Sequence, residues 1–367
     1  MELSAPSREF WRGQRVLLTG HTGFKGGWMA LWLARLGAEV TGFAQRYRYG
    51  PSILSQVGET DGLTSIAGDL RDERAVLAAV EHARPTLVIH MAAQALVREA
   101  YATPTATWQT NVLGTLNLLE ALRDVPELRA ALVITTDKVY ANDGSGRAHG
   151  EDDPLGGHDP YASSKVACEE LVASYRKSFF AEKGVMLATA RAGNVIGGGD
   201  AATDRIVPDI WRAALSRTPI VLRNPESTRP WQHVLDPLAG YLRYLETLAQ
   251  SDAAIPLALN FAPPGSAPPH TVGAVTHRLC DAFGMPPPVH RPEPKAPHEM
   301  ASLALDASLA ERYLGWRAEL DLPTSLAWTA QWYLARRAGA DVRALCDAQI
   351  SAYEALGTPA ETLERVA

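Results

Sequence analysis

The chain has 367 residues, 46% hydrophobic and 21% charged, the composition of a folded protein with a sizeable core. Its net charge of -6, from 35 basic and 41 acidic residues with no long like-charge block, gives no footprint for nucleic acid. Three separated cysteines, Cys168, Cys280 and Cys346, argue against a disulfide scaffold or a zinc site, so no metal is expected. No apolar run reaches the ~20 residues of a membrane span. The residues before Arg15 are too short and polar for a signal peptide, so a reducing cytoplasm is the expected compartment.

The first predicted unit is VLLTGHTGFKGGWMALWLARLGAEVTGF, residues 16 to 43. Val16 to Leu18 reads as a buried strand, Trp28 to Leu36 as a helix ended by Gly37, and Glu39 to Phe43 as a second strand. Gly20, Gly23 and Gly26 form the bend, spaced GxxGxxG. Gly20 permits a tight turn, Gly23 lets a pyrophosphate approach the backbone, and Gly26 lets the helix lie against the sheet. The helix N-terminus then offers free N–H groups to phosphates. A Walker loop is excluded because Gly26 follows Lys25.

The second strand closes without the acid that usually binds the adenosine ribose. GFAQRYRYG places Gln45, Arg46 and Arg48 there instead. An arginine at this place can pair with a 2′-phosphate, which favours NADP, or stack on adenine, which favours neither cofactor. In IAGDLRD, Asp69 follows a short strand, beside Leu70. Asp69 can accept a hydrogen bond from an adenine amino group or cap a helix.

Residues 87 to 95, LVIHMAAQA, predict a strand running into small residues, Ala92 among them, past which a dinucleotide can lie. A helix is expected over 107–122, a strand over 131–142, a surface loop over 143–157, a helix over 159–179, and a strand with a glycine-rich loop over 185–199. This alternation predicts an α/β fold with a doubly wound, Rossmann-type parallel sheet. Helical segments at 204–215, 234–246, 271–283 and 322–336, separated by the proline-rich APPGSAPPH and MPPPVHRPEPKAPH, predict a smaller C-terminal substrate-binding lobe. The expected division is 1–195 for the dinucleotide and catalytic part, 196–340 for the lobe with segments returning to the first part, and 341–367 for a helical tail.

Tyr161 and Lys165 are four residues apart at a helix start and share a face. A phenol ordinarily titrating near ~10 becomes a base when an ammonium favours its phenolate. Thr136, Asp137 and Lys138 end the preceding strand, where ligands of open α/β sheets bind. Thr136 can hydrogen-bond a sugar hydroxyl. Asp137 and Lys138 can give and take protons, or form no more than an exposed ion pair.

TGHTGFKG at 19–26, GDLRD at 68–72, HMAAQ at 90–94 and YASSK at 161–165 resemble the extended short-chain dehydrogenase/reductase family. HTGFKGGW, MAAQALVR, TTDKVY, RAGNVIGGGD and RPWQHVLDPL resemble, within it, the CDP-glucose 4,6-dehydratases, over Phe10 to about Trp332. The resemblance implies a bound NAD, with NADP not excluded, and a nucleotide-sugar substrate. It implies Tyr161 as the first base, Asp137 as the acid for the leaving 6-hydroxyl, and Lys138 in the place of the C5 base. Lys138 must then be neutral, through burial or a neighbouring cation. It implies cofactor contacts from Gly20, Gly23, Phe24, Gly26, Arg46, Asp69, Leu70, Ala92 and Lys165. Asn194 and Arg229 resemble diphosphate ligands, with Arg205 a further candidate. His233 is either a nucleotide contact or a core histidine. A homodimer is implied, pairing helices 107–122 and 160–180 with their counterparts.

Two departures stand out. The segment after the active-site strand is NDGSGRAHGED, without the family's aromatic residues, and His158 stands before DPY where the family has tyrosine. A polar, flexible loop beside the sugar is the expectation, with an epimerase or a dehydratase of another nucleotide sugar as the alternative.

Overall fold

The computed structural model describes residues 5–251, 254–263, 270–291, 300 and 302–357. Most of the proline-rich stretches and residues 358–367 lie outside them.

Seven parallel strands form the sheet: β1 (Arg15–Thr19), β2 (Glu39–Ala44), β3 (Leu63–Ala67), β4 (Leu87–His90), β5 (Ala130–Ile134), β6 (Met186–Ala192) and β7 (Ala258–Phe261). Their order is β7-β6-β5-β4-β1-β2-β3. The chain reverses direction across the sheet between β1 and β4, which opens a crevice at the strands' carboxyl ends.

Period-two alternation makes two cores. Val16, Leu18, Ile89, Leu132 and Ile134 face helices α1 (Phe24–Leu36) and, later in the chain, Leu235–Gln250. Leu17, Val88, Val133 and Leu187 face α2 (Glu73–Ala83), α3 (Gly114–Leu122) and α4 (Pro160–Tyr175). Both faces of the strands are covered, so the strands read as apolar runs rather than alternating ones. The helix at Leu235–Gln250 is α5, and a tail helix, α6 (Val342–Leu356), closes over α1 through a Trp32 to Glu354 hydrogen bond of 2.9 Å.

Several boundaries differ from the sequence reading. The helix at the first bend begins at Phe24, four residues before Trp28, because Gly23 serves as its N-cap. The strand expected to reach Asn142 stops at Ile134. Thr136 then caps a short turn, Asp137–Val139, accepting from the Lys138 amide at 3.4 Å. The strand expected to reach Ala95 stops at His90, and the Ala92 amide turns back to Thr19 Oγ1 at 3.2 Å. Residues 109–113 of the expected 107–122 helix form one wide, π-helical turn, with Pro104–Trp108 before it.

The 142–152 loop is not loose. His149 is buried and stacks on Tyr140, centroids 5.0 Å apart and planes 4° apart. Its backbone N–H donates to Ala304, and its carbonyl accepts from Asp306 and from the Asn260 side chain. The glycines and charges that suggested flexibility surround a stacked His149–Tyr140 anchor.

Candidate active site

Gly20 adopts φ +79°, and a Cβ on it would stand 2.7 Å from the Ala92 amide nitrogen; one on Gly26 would stand 2.1 Å from the Gly20 carbonyl oxygen. Only glycine allows β1, β4 and α1 to meet this closely. Gly23 caps α1 with no side-chain hydrogen bond, and the first turn carries no acid. Orphan N–H groups and the positive end of the helix dipole therefore face the crevice, an environment suited to a diphosphate.

Around that bend the predicted cofactor residues separate. Arg46 is exposed at the end of β2, while Arg48 is held by Glu99. Asp69 is bound by Arg71, with Nη2 2.5 Å from Oδ2, which lowers its carboxyl below the ordinary range. The cap of α2 is Asp72, not Asp69. Leu70 is buried against Gly114 and gives its carbonyl to Asn117 at 2.9 Å, so its side chain belongs to the core.

The catalytic candidates come together for local reasons. Asp159 accepts from the Tyr161 and Ala162 amides at 2.9 and 3.0 Å, and Pro160 occupies the first helical position. This cap fixes α4 so that Tyr161 and Lys165 both face the end of β5. Lys165 is buried and donates to the Ile134 carbonyl at 2.9 Å. Thr136 Oγ1 donates to Asp137 Oδ1 at 2.9 Å, and Lys138 Nζ approaches the same oxygen at 3.3 Å. Thr136 and Tyr161 stand together in the lining of one cavity.

Burial pushes the Tyr161 phenol up to about 12, against the opposing pull of Thr136; Asp137 pushes it further up and Arg205 pulls it down. The fall expected from Lys165 is therefore not found: loss of water outweighs the nearby cations. Lys165 is itself lowered by burial.

Phe24, Thr136, Lys138, Tyr161, Asn194, Arg205 and Arg229 line one cavity of 380 Å³. Asp137 lies behind it, 1% exposed, with Oδ2 bonded to nothing among the described residues. Asn194 Oδ1 is likewise buried without a partner. Arg205 meets Asp200 at 3.2 Å. His233 does not line the cavity: it sits between Trp28 and Trp328, and burial drives its imidazole down to about 3. It is a core histidine, so its nucleotide role is withdrawn.

Three cavity residues escaped the sequence reading. Arg98 and Arg223 join Arg205 and Arg229 in the lining. Arg98 stands within the quoted MAAQALVR, and an arginine count there was the available signal. Lys25 also lines the cavity, its Nζ 5.5 Å from the Tyr241 ring centroid. Burial, then Arg205 and Lys165, bring its ammonium down to about 7, against the pull of Asp137.

Residues 16–257 match the NAD dependent epimerase/dehydratase family. The chain belongs to this family. It is 41% identical over 352 residues to the CDP-glucose 4,6-dehydratase of Salmonella typhimurium, covering 94% of this chain and 98% of that protein. It is 26% identical to a dTDP-glucose 4,6-dehydratase of Xanthomonas campestris pv. campestris, covering 87% and 92%. The UDP-glucose 4-epimerase of Thermus thermophilus, solved in complex with NAD, superposes with a TM-score of 0.73 at 25% identity, covering 87% of this chain and 98% of that one. The family's doubly wound fold and the sequence expectation of it therefore agree.

Proposed function

We propose that this protein is a nucleotide-sugar 4,6-dehydratase that converts CDP-glucose to CDP-4-keto-6-deoxyglucose with NAD. The carrying observation is the Asp137–Lys138 pair, bonded to Thr136 and set beside Tyr161 at the wall of an arginine-lined cavity. A 4-epimerase has no use for two further proton-transfer groups beside its tyrosine. The 41% identity over nearly the whole of a CDP-glucose 4,6-dehydratase supports the same substrate.

The glycine bend and the start of α1 would hold the dinucleotide diphosphate, with Ala92 leaving room and Lys165 reaching the nicotinamide ribose. NAD bound there would supply a hydride acceptor for C4 and a hydride donor for C6. Thr136 holds the sugar 4-hydroxyl and Tyr161 takes its proton. The C4 ketone acidifies the C5 proton, which Lys138 removes. Asp137 protonates the departing 6-hydroxyl. Asn194, Arg205 and Arg229 hold the sugar diphosphate, and the arginines can each offer two parallel hydrogen bonds. The product should weigh one water less than CDP-glucose, with deuterium from C4 recovered at C6. An isomer of unchanged mass would point to epimerisation instead.

The assembly we infer is a cytoplasmic homodimer. Pro104, Thr105, Trp108, Gln109, Val112 and Leu113 line a shallow groove, in which Trp108 is 40% and Leu113 49% exposed. The groove overlaps the start of the 107–122 helix that the family resemblance pairs with its counterpart. Light scattering at micromolar concentration should give twice the chain mass, and Leu113→Glu should give the monomer. Among the described residues no helix is long and apolar enough to cross a membrane, and all three cysteines are buried free thiols.

A further inference from the structure

The chain carries Arg46 and Arg48 where a dinucleotide-binding sheet usually carries an acid that accepts from the adenosine ribose. Arginines there suit the 2′-phosphate of NADP, because each can offer a phosphate two parallel hydrogen bonds. A protein that uses NAD needs some device that denies them that ligand.

Arg48 is engaged elsewhere. Its Nη2 donates to Glu99 Oε1. The Tyr49 hydroxyl donates to Glu99 Oε2 at 2.6 Å, and the Arg48 guanidinium lies 5.3 Å from the centre of the Tyr49 ring. An exposed ion pair by itself holds little. Here both oxygens of one carboxylate are used and the two donors also touch each other, so the three contacts reinforce one another. Glu99 stands on the short helix Val97–Ala102, which follows β4. In the sheet β4 and β2 flank β1 on opposite sides. The contacts therefore draw Arg48 and Tyr49 from the β2 side toward the β4 side, across the glycine bend at the end of β1. The near end of this crossing is tied to the bend as well, since Thr22 Oγ1 donates to the Gln45 carbonyl at 2.8 Å. Beyond β3, Arg71 is bound to Asp69 at 2.5 Å. Arg46 is left exposed at the end of β2.

We propose that Glu99 sets the choice of cofactor: it draws Arg48 away from the adenosine ribose and so withholds the arginine pair that a 2′-phosphate needs. The inference rests on the reading above, in which the glycine bend holds a dinucleotide diphosphate. NAD presents only hydroxyls at that ribose and loses nothing when Arg48 is turned aside. NADP presents a phosphate there and loses a charged partner. Specificity is the difference between those two costs. Glu99 thus does, from the β4 side, the work usually given to an acid at the end of β2.

Calorimetric titration of the full chain with NAD and with NADP, without a sugar, tests this. The parent should bind NAD about 10-fold or more tightly than NADP. Glu99→Gln keeps the size of the side chain and removes the charge that holds Arg48. NADP should then bind roughly 10-fold more tightly than to the parent, the scale of one charge-assisted hydrogen bond, with NAD within about twofold. Adding Arg48→Met to Glu99→Gln should return NADP to the parent's affinity, because the gain needs the freed guanidinium. Glu99→Ala serves the same comparison if the glutamine variant misfolds. Equal weakening of both dinucleotides would make Glu99 a brace for residues 45–50 and overturn the proposal. So would an unchanged NADP affinity, a gain that survives Arg48→Met, or a parent that prefers NADP. If the parent binds neither dinucleotide, the dinucleotide reading falls first and the proposal with it.

Discussion

Two buried polar clusters lie within a few residues of one another and behave oppositely. In the first, Glu169 on α4 accepts from Thr135 (2.5 Å) and Arg191 Nε (2.9 Å) on one oxygen, and from Thr189 (2.7 Å) and Arg191 Nη2 (2.9 Å) on the other. Arg191 continues to Tyr140, whose hydroxyl donates to Asn260 at 2.7 Å. In the second, Asp137 Oδ2, Asn194 Oδ1 and the Tyr241 hydroxyl are buried without partners among the described residues. A buried polar group left unpaired costs about 1–3 kcal/mol. The first cluster returns that cost within the protein and welds α4, β5, β6 and β7 together. The second leaves it standing where a ligand would bring the missing partners. Residues adjacent in sequence, Thr135 and Thr136, serve one cluster each.

The sharpest way to separate them is to remove one oxygen from the second. Tyr161→Phe should lower turnover by about 10³-fold or more, with the melting temperature and dinucleotide affinity close to the parent's. Calorimetric titration with NAD alongside a product assay checks both halves. Turnover near the parent's would remove Tyr161 from the chemistry and dissolve the contrast.

Removing a member of the first cluster should do the reverse. Arg191→Met strands the Glu169 carboxylate in the interior, and breaking a buried pair in this way costs about 3–5 kcal/mol. The urea midpoint should fall accordingly, while turnover per folded molecule falls far less than in Tyr161→Phe. Adding Glu169→Leu should recover a large part of the loss. No recovery would mean that packing, not the stranded charge, set the cost.

The two clusters were not equally legible in the sequence. The site is built mostly from local pattern: glycine spacing, the Asp159-Pro160 cap, a one-turn Tyr161–Lys165 spacing and a strand-end Thr-Asp-Lys. Each depends on residues within a turn of one another, so each can be read without the fold. Glu169, Thr189, Arg191 and Asn260 are far apart in the chain and meet only when β5, β6 and β7 pair. The seventh strand, Ala258–Phe261, has four residues beside a proline-rich stretch, and its partner β6 alone makes it a strand. The same holds for Arg223, brought to the cavity by a tertiary approach that no spacing announces. The loop at 142–152 misled because its composition speaks of flexibility while its order comes from His149 on Tyr140. The phenol of Tyr161 misled in the other direction: a neighbouring lysine is visible in sequence, and the depth of burial is not.

Within the site, Lys138→Ala should suppress elimination by about 10²-fold, with the first oxidation spared. Reduced nicotinamide should then accumulate after substrate is added, visible by its absorbance. Undiminished dehydration would send the search for the C5 base to Tyr161. That outcome would also loosen the link between unmet polar atoms and chemistry, since Lys138 holds the one oxygen of Asp137 that is not orphaned.

Asp236 is the hardest case for the contrast. It lies in the first turn of α5, outside the cavity lining, yet Oδ2 is buried without a partner among the described residues. Its other oxygen accepts from the Glu319 amide at 2.8 Å and the Tyr353 hydroxyl at 3.0 Å. Burial drives the carboxyl up from 3.8 to about 7. The folded protein therefore keeps a proton that the unfolded chain releases at lower pH, so this group's contribution to stability falls as pH rises from about 4 to 7. Asp236→Asn removes that dependence while an amide oxygen keeps the two accepted hydrogen bonds. Relative to the parent, the variant should gain about 3 kcal/mol between pH 4.5 and 8, read as the difference of two urea titrations. Turnover should stay unchanged. Parallel pH curves would assign the slope to other groups. A loss of turnover in a folded Asp236→Asn would show that the unmet oxygen there also answers to the reaction, and would extend the active cluster from the cavity wall to the base of α5.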